Sequence, residues 1–238
     1  MGGASSADGL GIQTRPAHRV GRGSGEPVRN LATVTEAEFE RPTRCVPWTV
    51  RALLAHVDTG ADRVITMLAE PPPSAADTDA AGYYRADTRF SSATNRERVD
   101  GAIAAAARAD RGAVHAAHFT QTWRDAYTAV AAQAPDRVVR TRHGDAMLLT
   151  DFMVTRVVEL VLHGLDFADA LDRPPWTHDS ALEVVTRLLL PTATQPVLDA
   201  LGWDQMTLVR VATGRADSDD GTDPNRLRAA GITWLALG

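Results

Sequence analysis

Residues 151–171 read DFMVTRVVELVLHGLDFADAL, an apolar run carrying one polar stripe. Glu159 and His163 stand four apart, with Arg156 three before the glutamate and Asp166 three after the histidine. On a helix all four line one face. The residues between them, Val157, Val158, Leu160, Val161, Leu162 and Leu165, are apolar, which predicts a helix buried in a core. A carboxylate and an imidazole pressed into a core need partners, because an unpaired buried charge is costly. A divalent metal ion would partner both at once. A Glu–His pair at this spacing is also a common helix-surface contact, worth roughly a few tenths of a kcal/mol.

His56 extends the pair to a ligand set. It lies in a predicted helix over 48–69, where Val50, Leu53, Leu54, Val57, Ala61, Val64, Ile65 and Leu68 recur at the i, i+3, i+4, i+7 spacing. His56 falls at the edge of that stripe and can meet the other two groups across a bundle core. Two imidazoles and one carboxylate suit Zn²⁺, Fe²⁺ or Ni²⁺, and three protein ligands leave a coordination position open, as in catalytic sites. Asp166 is placed to accept the free imidazole N–H of a ligand, and Arg156 to neutralise Glu159 or hold an anionic substrate. A plain salt-bridge stripe explains these two residues equally well.

Other candidates are weaker. His115 and His118 share a helix face without an acidic neighbour and read as solvated, while His143 and His178 fall in or near connectors and His18 near the N-terminus. Cys45 follows Arg44 near a helix start, which lowers a thiol pKa, yet a lone cysteine among apolar residues is more often a packing residue. Trp48 reads as a core anchor. No phosphate-binding glycine loop, nucleophile elbow or CxxC is present, and no strand precedes the glycines of GIQTRPAHRVGRGSG.

The elements that must position these groups are mainly helical. Residues 1–26 are Gly/Ser/Arg-rich and aperiodic, a disordered leader by composition. Residues 27–175 form the expected four-helix bundle: a short weak helix in 27–40, a helix begun by Pro47, a long loop over 71–93 with Tyr83, Tyr84 and Phe90, a helical stretch over 94–134 broken near Gly112, a connector over 135–148, and the helix over 149–171. Residues 176–238 form a small C-terminal α/β extension. It has a helix over 178–190, resuming to 201 after Pro191, and a two-stranded ribbon made from MTLVRVAT (206–213) and ITWLALG (232–238).

The 238 residues are 44% hydrophobic, enough for a sizeable core, with no run near the roughly 18 apolar residues needed to span a membrane. The N-terminus has no apolar stretch suited to a signal peptide, and one cysteine excludes an internal disulfide, so a cytoplasmic location is expected. All 25 basic residues are Arg, and the net charge of −5 argues against a nucleic-acid partner. Nothing in the pattern sets an oligomeric state.

Three stretches together resemble one known family. PTRCVPWTVRALLAHV (42–57) is similar to its PT-x-C-x-x-W-T-V-x-x-L-x-x-H segment, RVVELVLHGLDFADAL (156–171) to its E-x-x-x-H-G-x-D helix, and ATGR (212–215) followed by ITWLALG to its C-terminal ending. The family is the mycothiol-dependent maleylpyruvate isomerase group of the DinB-like helical-bundle superfamily. The resemblance spans about residues 40–238. It implies a four-helix bundle with a metal, usually zinc, held at the positions of His56, Glu159 and His163, and mycothiol as thiol co-substrate. It implies that the metal binds the thiol as thiolate, for addition to an electrophile. In the isomerase that addition permits cis-to-trans rotation of maleylpyruvate. Two departures stand out: the usual Pro-Gly after the cysteine is Val46-Pro47, and the C-terminal region is smaller than the isomerase's sterol-carrier-like domain.

The expectation is therefore a divalent-metal-dependent, mycothiol-using transferase or isomerase, with a small thiol and an electrophile as partners. Three alternatives stay open. One is a non-catalytic metal- or ligand-binding bundle. Another is a metal-dependent hydrolase with water at the open position. The third is a helical protein whose polar stripe forms only ion pairs.

Overall fold

A computed structural model describes residues 25–192, 194–216, 224–233, 235 and 237. The predicted leader lies outside the described residues except for its last two, which open the first helix, and His18 lies outside them too. The expected short helix in 27–40 is two short helices, α1 (Gly25–Leu31) and α2 (Glu36–Phe39). A capping box starts α2: Glu38 N–H donates to the Thr35 hydroxyl, and Thr35 N–H donates to the Glu38 carboxylate.

The helix carrying His56 is α3 (Val50–Ala69). It starts three residues after Pro47, because Thr49 supplies the cap by accepting from Ala52 N–H. Its apolar stripe is buried as the periodicity requires, including Val50, Leu53, Leu54, Val57, Ala61 and Val64. The long loop is shaped by a helical turn, α4 (Ala80–Tyr83), and a 3₁₀ turn at Thr88–Phe90. The stretch predicted to break near Gly112 divides there into α5 (Ser92–Ala106) and α6 (Gly112–Ala131). Helix α7 (Leu149–Leu171) carries the polar stripe and has the expected span. Helix α3 packs against α5, α6 and α7, making it the common wall of the bundle. Two helical glycines permit close approaches: a Cβ at Gly60 would lie 2.9 Å from an Arg156 nitrogen, and one at Gly164 2.7 Å from the Trp176 carbonyl oxygen.

The C-terminal region departs from expectation. After α8 (Asp179–Leu189) and α9 (Thr194–Leu201), the segment expected to form a strand at 206–213 is instead a helix, α10 (Gln205–Ala212). Its β-branched residues suggest a strand, but the Asp204 side chain caps it, and Leu208, Val209, Val211 and Ala212 bury a helical face against α8. Tertiary packing here outweighs local propensity. Helix α11 (Pro224–Ala229) follows. In the segment 232–238 the described residues form no strand; Ile232 and Leu235 are buried, and Thr233 N–H donates to the Leu189 carbonyl at 2.7 Å.

A ribbon does exist, at the position read as a connector. Strand β1 (Val138–Arg140) pairs antiparallel with β2 (Ala146–Leu148), with Val139 opposite Met147. Three-residue strands are too short to display a period of two. Asp77 and Thr78 donate backbone N–H groups to the Ala146 carbonyl, and Arg89 reaches Asp145 at 2.9 Å. The long loop is thereby tied to the hairpin.

Candidate metal centre

His56 from α3 and the Glu159–His163 pair from α7 come together between the two helices. The Nε2 atoms of His56 and His163 each lie 3.3 Å from Glu159 Oε2, and the three candidate ligand atoms all fall within 4.8 Å of one another. The imidazoles meet edge to face, with centroids 5.1 Å apart. Trp48 stacks on His56 at 4.7 Å and donates its indole N–H to the Val99 carbonyl, so the residue read as a core anchor is also the shelf for this ring.

The electrostatics follow from burial and these contacts. Burial pushes the His56 imidazole down to about 4. Burial also disfavours charge on His163, but Asp166, Cys45 and Glu159 hold it well above its ordinary value. Burial would raise Glu159, yet the two imidazoles and Arg156 keep its carboxyl well below the usual range. One ionised carboxylate facing two ring nitrogens is a donor set that fits a divalent cation.

Behind His163 lies a second layer centred on Asp166, which has no solvent exposure. His163 Nδ1 donates to Asp166 Oδ2 at 3.0 Å, as the spacing suggested. Cys45 Sγ donates to the same oxygen at 3.3 Å. Arg215 forms a fork on the carboxylate, Nε to Oδ1 at 2.9 Å and Nη2 to Oδ2 at 2.7 Å, and Arg44 Nε stands 3.9 Å away. Burial raises the Asp166 carboxyl, but His163 and Arg215 pull it below the usual carboxylate range. Sequence reasoning missed the roles of Arg44 and Arg215 at Asp166, and favoured packing over chemistry for Cys45. Arg215 lies 49 residues from its partner, beyond any local spacing rule.

The centre opens into a cavity of about 270 Å³ lined also by Tyr83, Phe90, His143 and the thiol-bearing Cys45. Its lining also holds Arg63, Arg98, Arg142 and Arg156. Among the described residues none of these four makes an ion pair with a carboxylate. Arg156 is buried; its Nε donates to the Thr155 hydroxyl at 3.2 Å, and its guanidinium lies over the Phe152 ring at 4.8 Å. It does not bond Glu159 directly. Burial and the neighbouring Arg142 and Arg156 lower Arg63 to about 10, and burial lowers Arg98. Burial and Arg142 lower His143 to about 4.

The remaining histidines stand apart from the centre. His115, read as solvated, is buried, with Nε2 2.8 Å from the Ala106 carbonyl at the end of α5, where a helix leaves its carbonyls without internal partners. His118 is exposed as expected but faces an acidic partner from α3, Asp58, at 2.7 Å. His178 caps α8 by accepting from Ser180 N–H.

Comparison with known proteins matches the chain to one family. The profile of the mycothiol maleylpyruvate isomerase N-terminal domain matches residues 22–168. Among solved structures the chain is similar to a histidine-to-alanine mutant of the mycothiol-dependent maleylpyruvate isomerase, with 15% identity, a TM-score of 0.50, and coverage of 72% of this chain and 66% of that one. It is also similar to a crystal structure of the mycothiol-dependent maleylpyruvate isomerase, with the same identity and coverage and a TM-score of 0.49. The chain thus spans just under two thirds of the length of those structures. No curated protein matches significantly. The first likeness shows the fold, a mainly helical DinB-like architecture. With the profile matched over more than half of its length, the chain belongs to the mycothiol maleylpyruvate isomerase N-terminal domain family.

Proposed function

We propose that the protein is a mycothiol-using transferase or isomerase that holds a divalent metal, zinc by its donor set, on His56, Glu159 and His163 and acts on an anionic electrophile. The observation that carries this reading is the convergence of two imidazoles and one carboxylate, from two helices, on the floor of a cavity. The family and the names of the similar structures support a thiol co-substrate. When bound, the ion supplies Lewis acidity that favours the thiolate form of a coordinating thiol near neutral pH.

The chain's own residues do the rest. His163 donates its Nδ1 proton to Asp166, which leaves Nε2 free to bind the ion. Trp48 fixes the plane of His56, whose burial keeps it neutral and therefore a competent ligand. Arg63, Arg98, Arg142 and Arg156 hold the carboxylates of the electrophile and stabilise negative charge that develops on it during addition. Tyr83 and Phe90 pack the sides of the cavity and limit water.

The test is His163→Ala in protein purified without a histidine tag. Metal content measured by mass spectrometry falls from about one ion per chain to a small residue, and thiol-dependent loss of an unsaturated diacid's absorbance stops. Full metal content in the variant would reject the site. Turnover that needs no thiol would reject the thiol chemistry.

A further inference from the structure

We infer that Arg215 is a positioning residue for the metal centre: it locks Asp166, and through Asp166 the ring of His163. The segment after α10 thereby completes a site whose ligands all come from the bundle. The inference rests on His163 being a ligand, as proposed above, and adds a residue that lies outside the family-matched stretch of 22–168.

The geometry is specific. Asp166 Oδ2 accepts from three donors, His163 Nδ1 at 3.0 Å, Arg215 Nη2 at 2.7 Å and Cys45 Sγ at 3.3 Å. Asp166 Oδ1 accepts from Arg215 Nε at 2.9 Å. One hydrogen bond to His163 would leave the carboxylate free to turn about its Cβ–Cγ bond. The planar guanidinium fork removes that freedom and fixes which oxygen faces the ring. With Asp166 fully buried, bulk water cannot substitute for the fork. The fork also supplies the counter-charge that a buried carboxylate requires when its histidine partner is neutral and metal-bound.

Arg215 is itself held in place. Its backbone N–H donates to the Arg210 carbonyl at 2.6 Å and its Nη1 to the Thr213 carbonyl at 3.1 Å. Arg210 pairs with Asp169, one residue stripe along α7 from Asp166, at 2.8 and 3.0 Å. Arg44 donates to the Gly214 carbonyl at 2.5 Å, and Gly214 takes a φ of 67° that a glycine adopts without strain. The turn is therefore clamped both to α7 and to the segment preceding α3, and it presents Arg215 to Asp166 already oriented.

The experiment compares wild type, Arg215→Ala and Arg215→Lys, each confirmed folded by circular dichroism. Metal-free protein is titrated with Co²⁺, whose visible absorption reports ligand geometry, and with Zn²⁺ against a chromophoric chelator. Arg215→Ala is expected to lose about 10- to 100-fold in affinity, the range for groups that orient a ligand, and to shift the cobalt spectrum. Arg215→Lys keeps the charge without the fork and recovers only part of the affinity. Added guanidinium ion restores affinity to the alanine variant. Affinity within about twofold of wild type, with an unchanged spectrum in both variants, overturns the role even if activity falls, since Arg215 then acts on substrate alone. Should Arg215→Ala not fold, the lysine variant decides the same question. Wild-type protein that takes up no cobalt or zinc overturns instead the metal reading beneath it.

Discussion

One wall of the site is built on Asp166, which gathers Arg215, His163 and Cys45 around two oxygens; the other comprises Arg63, Arg98, Arg142 and Arg156, none of them in an ion pair with a carboxylate among the described residues. Both walls concentrate charge in partly desolvated space, and both are costly to assemble. On the first the cost is offset internally, and the return is orientation: a carboxylate that cannot turn and an imidazole that points one way. On the second the cost is left standing at Arg63, Arg98 and His143, whose values are lowered, whereas Arg156, despite its burial, is held above its ordinary value by Tyr83 and Glu159. A ligand that brings negative charge relieves it. On the proposed function, the difference separates the part of the site that positions from the part that recognises.

The largest effect that tests this contrast is a loss of stability at the paired wall. Asp166→Ala leaves the Arg215 guanidinium, only 10% exposed, without its partner, and is expected to cost about 3–5 kcal/mol in urea unfolding. Arg142→Gln at the other wall is expected to change stability by less than about 0.5 kcal/mol, because Arg142 is exposed and has no carboxylate partner to lose. Equal effects at the two positions would erase the distinction between the walls.

How far this was legible in the sequence differs by element. Helix α7 was readable end to end, because Glu159, His163 and Asp166 interrupt a long apolar run and Pro174-Pro175 follow it. Helix α3 was readable from its stripe, and only its start, set by the Thr49 cap, was misplaced at Pro47. The meeting of His56 with Glu159 follows from two buried faces that have to pack on each other. Helix α10 was misread because Thr207, Val209 and Val211 carry a strand-like composition that packing overrides. Arg156 was readable from the same stripe as Glu159 and His163, but Arg63, Arg98 and Arg142 were invisible for another reason. In a chain with 25 of them, an arginine without a partner looks like any other until the fold shows what faces it.

A dianion should find the unpaired wall. Maleate added to metal-free protein at constant ionic strength is expected to raise the melting temperature, while acetate does so far less. At a hundredfold excess over its dissociation constant a ligand adds about 2.7 kcal/mol. The double variant Arg63→Gln, Arg142→Gln should lose most of that gain, and Arg215→Lys should keep it, since its guanidinium is already committed to Asp166. If Arg215→Lys were the more damaging of the two, recognition would lie on the paired wall.

The smallest expected effect is a pH dependence set by His143. Burial, Arg142 and Arg89 depress its imidazole from 6.5 to about 4. Between these values the unfolded chain binds the proton and the folded chain does not, so stability rises with pH across the window and falls as pH drops from 6.5 towards 4. His56, also lowered to about 4, adds a contribution of the same sign. The difference between wild type and His143→Gln therefore isolates the share of His143. Because His143 is only half-buried, solvent screening holds that share to about 1 kcal/mol. Saturating maleate should shrink the difference, since negative charge beside Arg142 counters the repulsion that disfavours His143 protonation. A difference that persists undiminished with maleate bound would mean that the dianion sits away from the Arg142 side of the cavity.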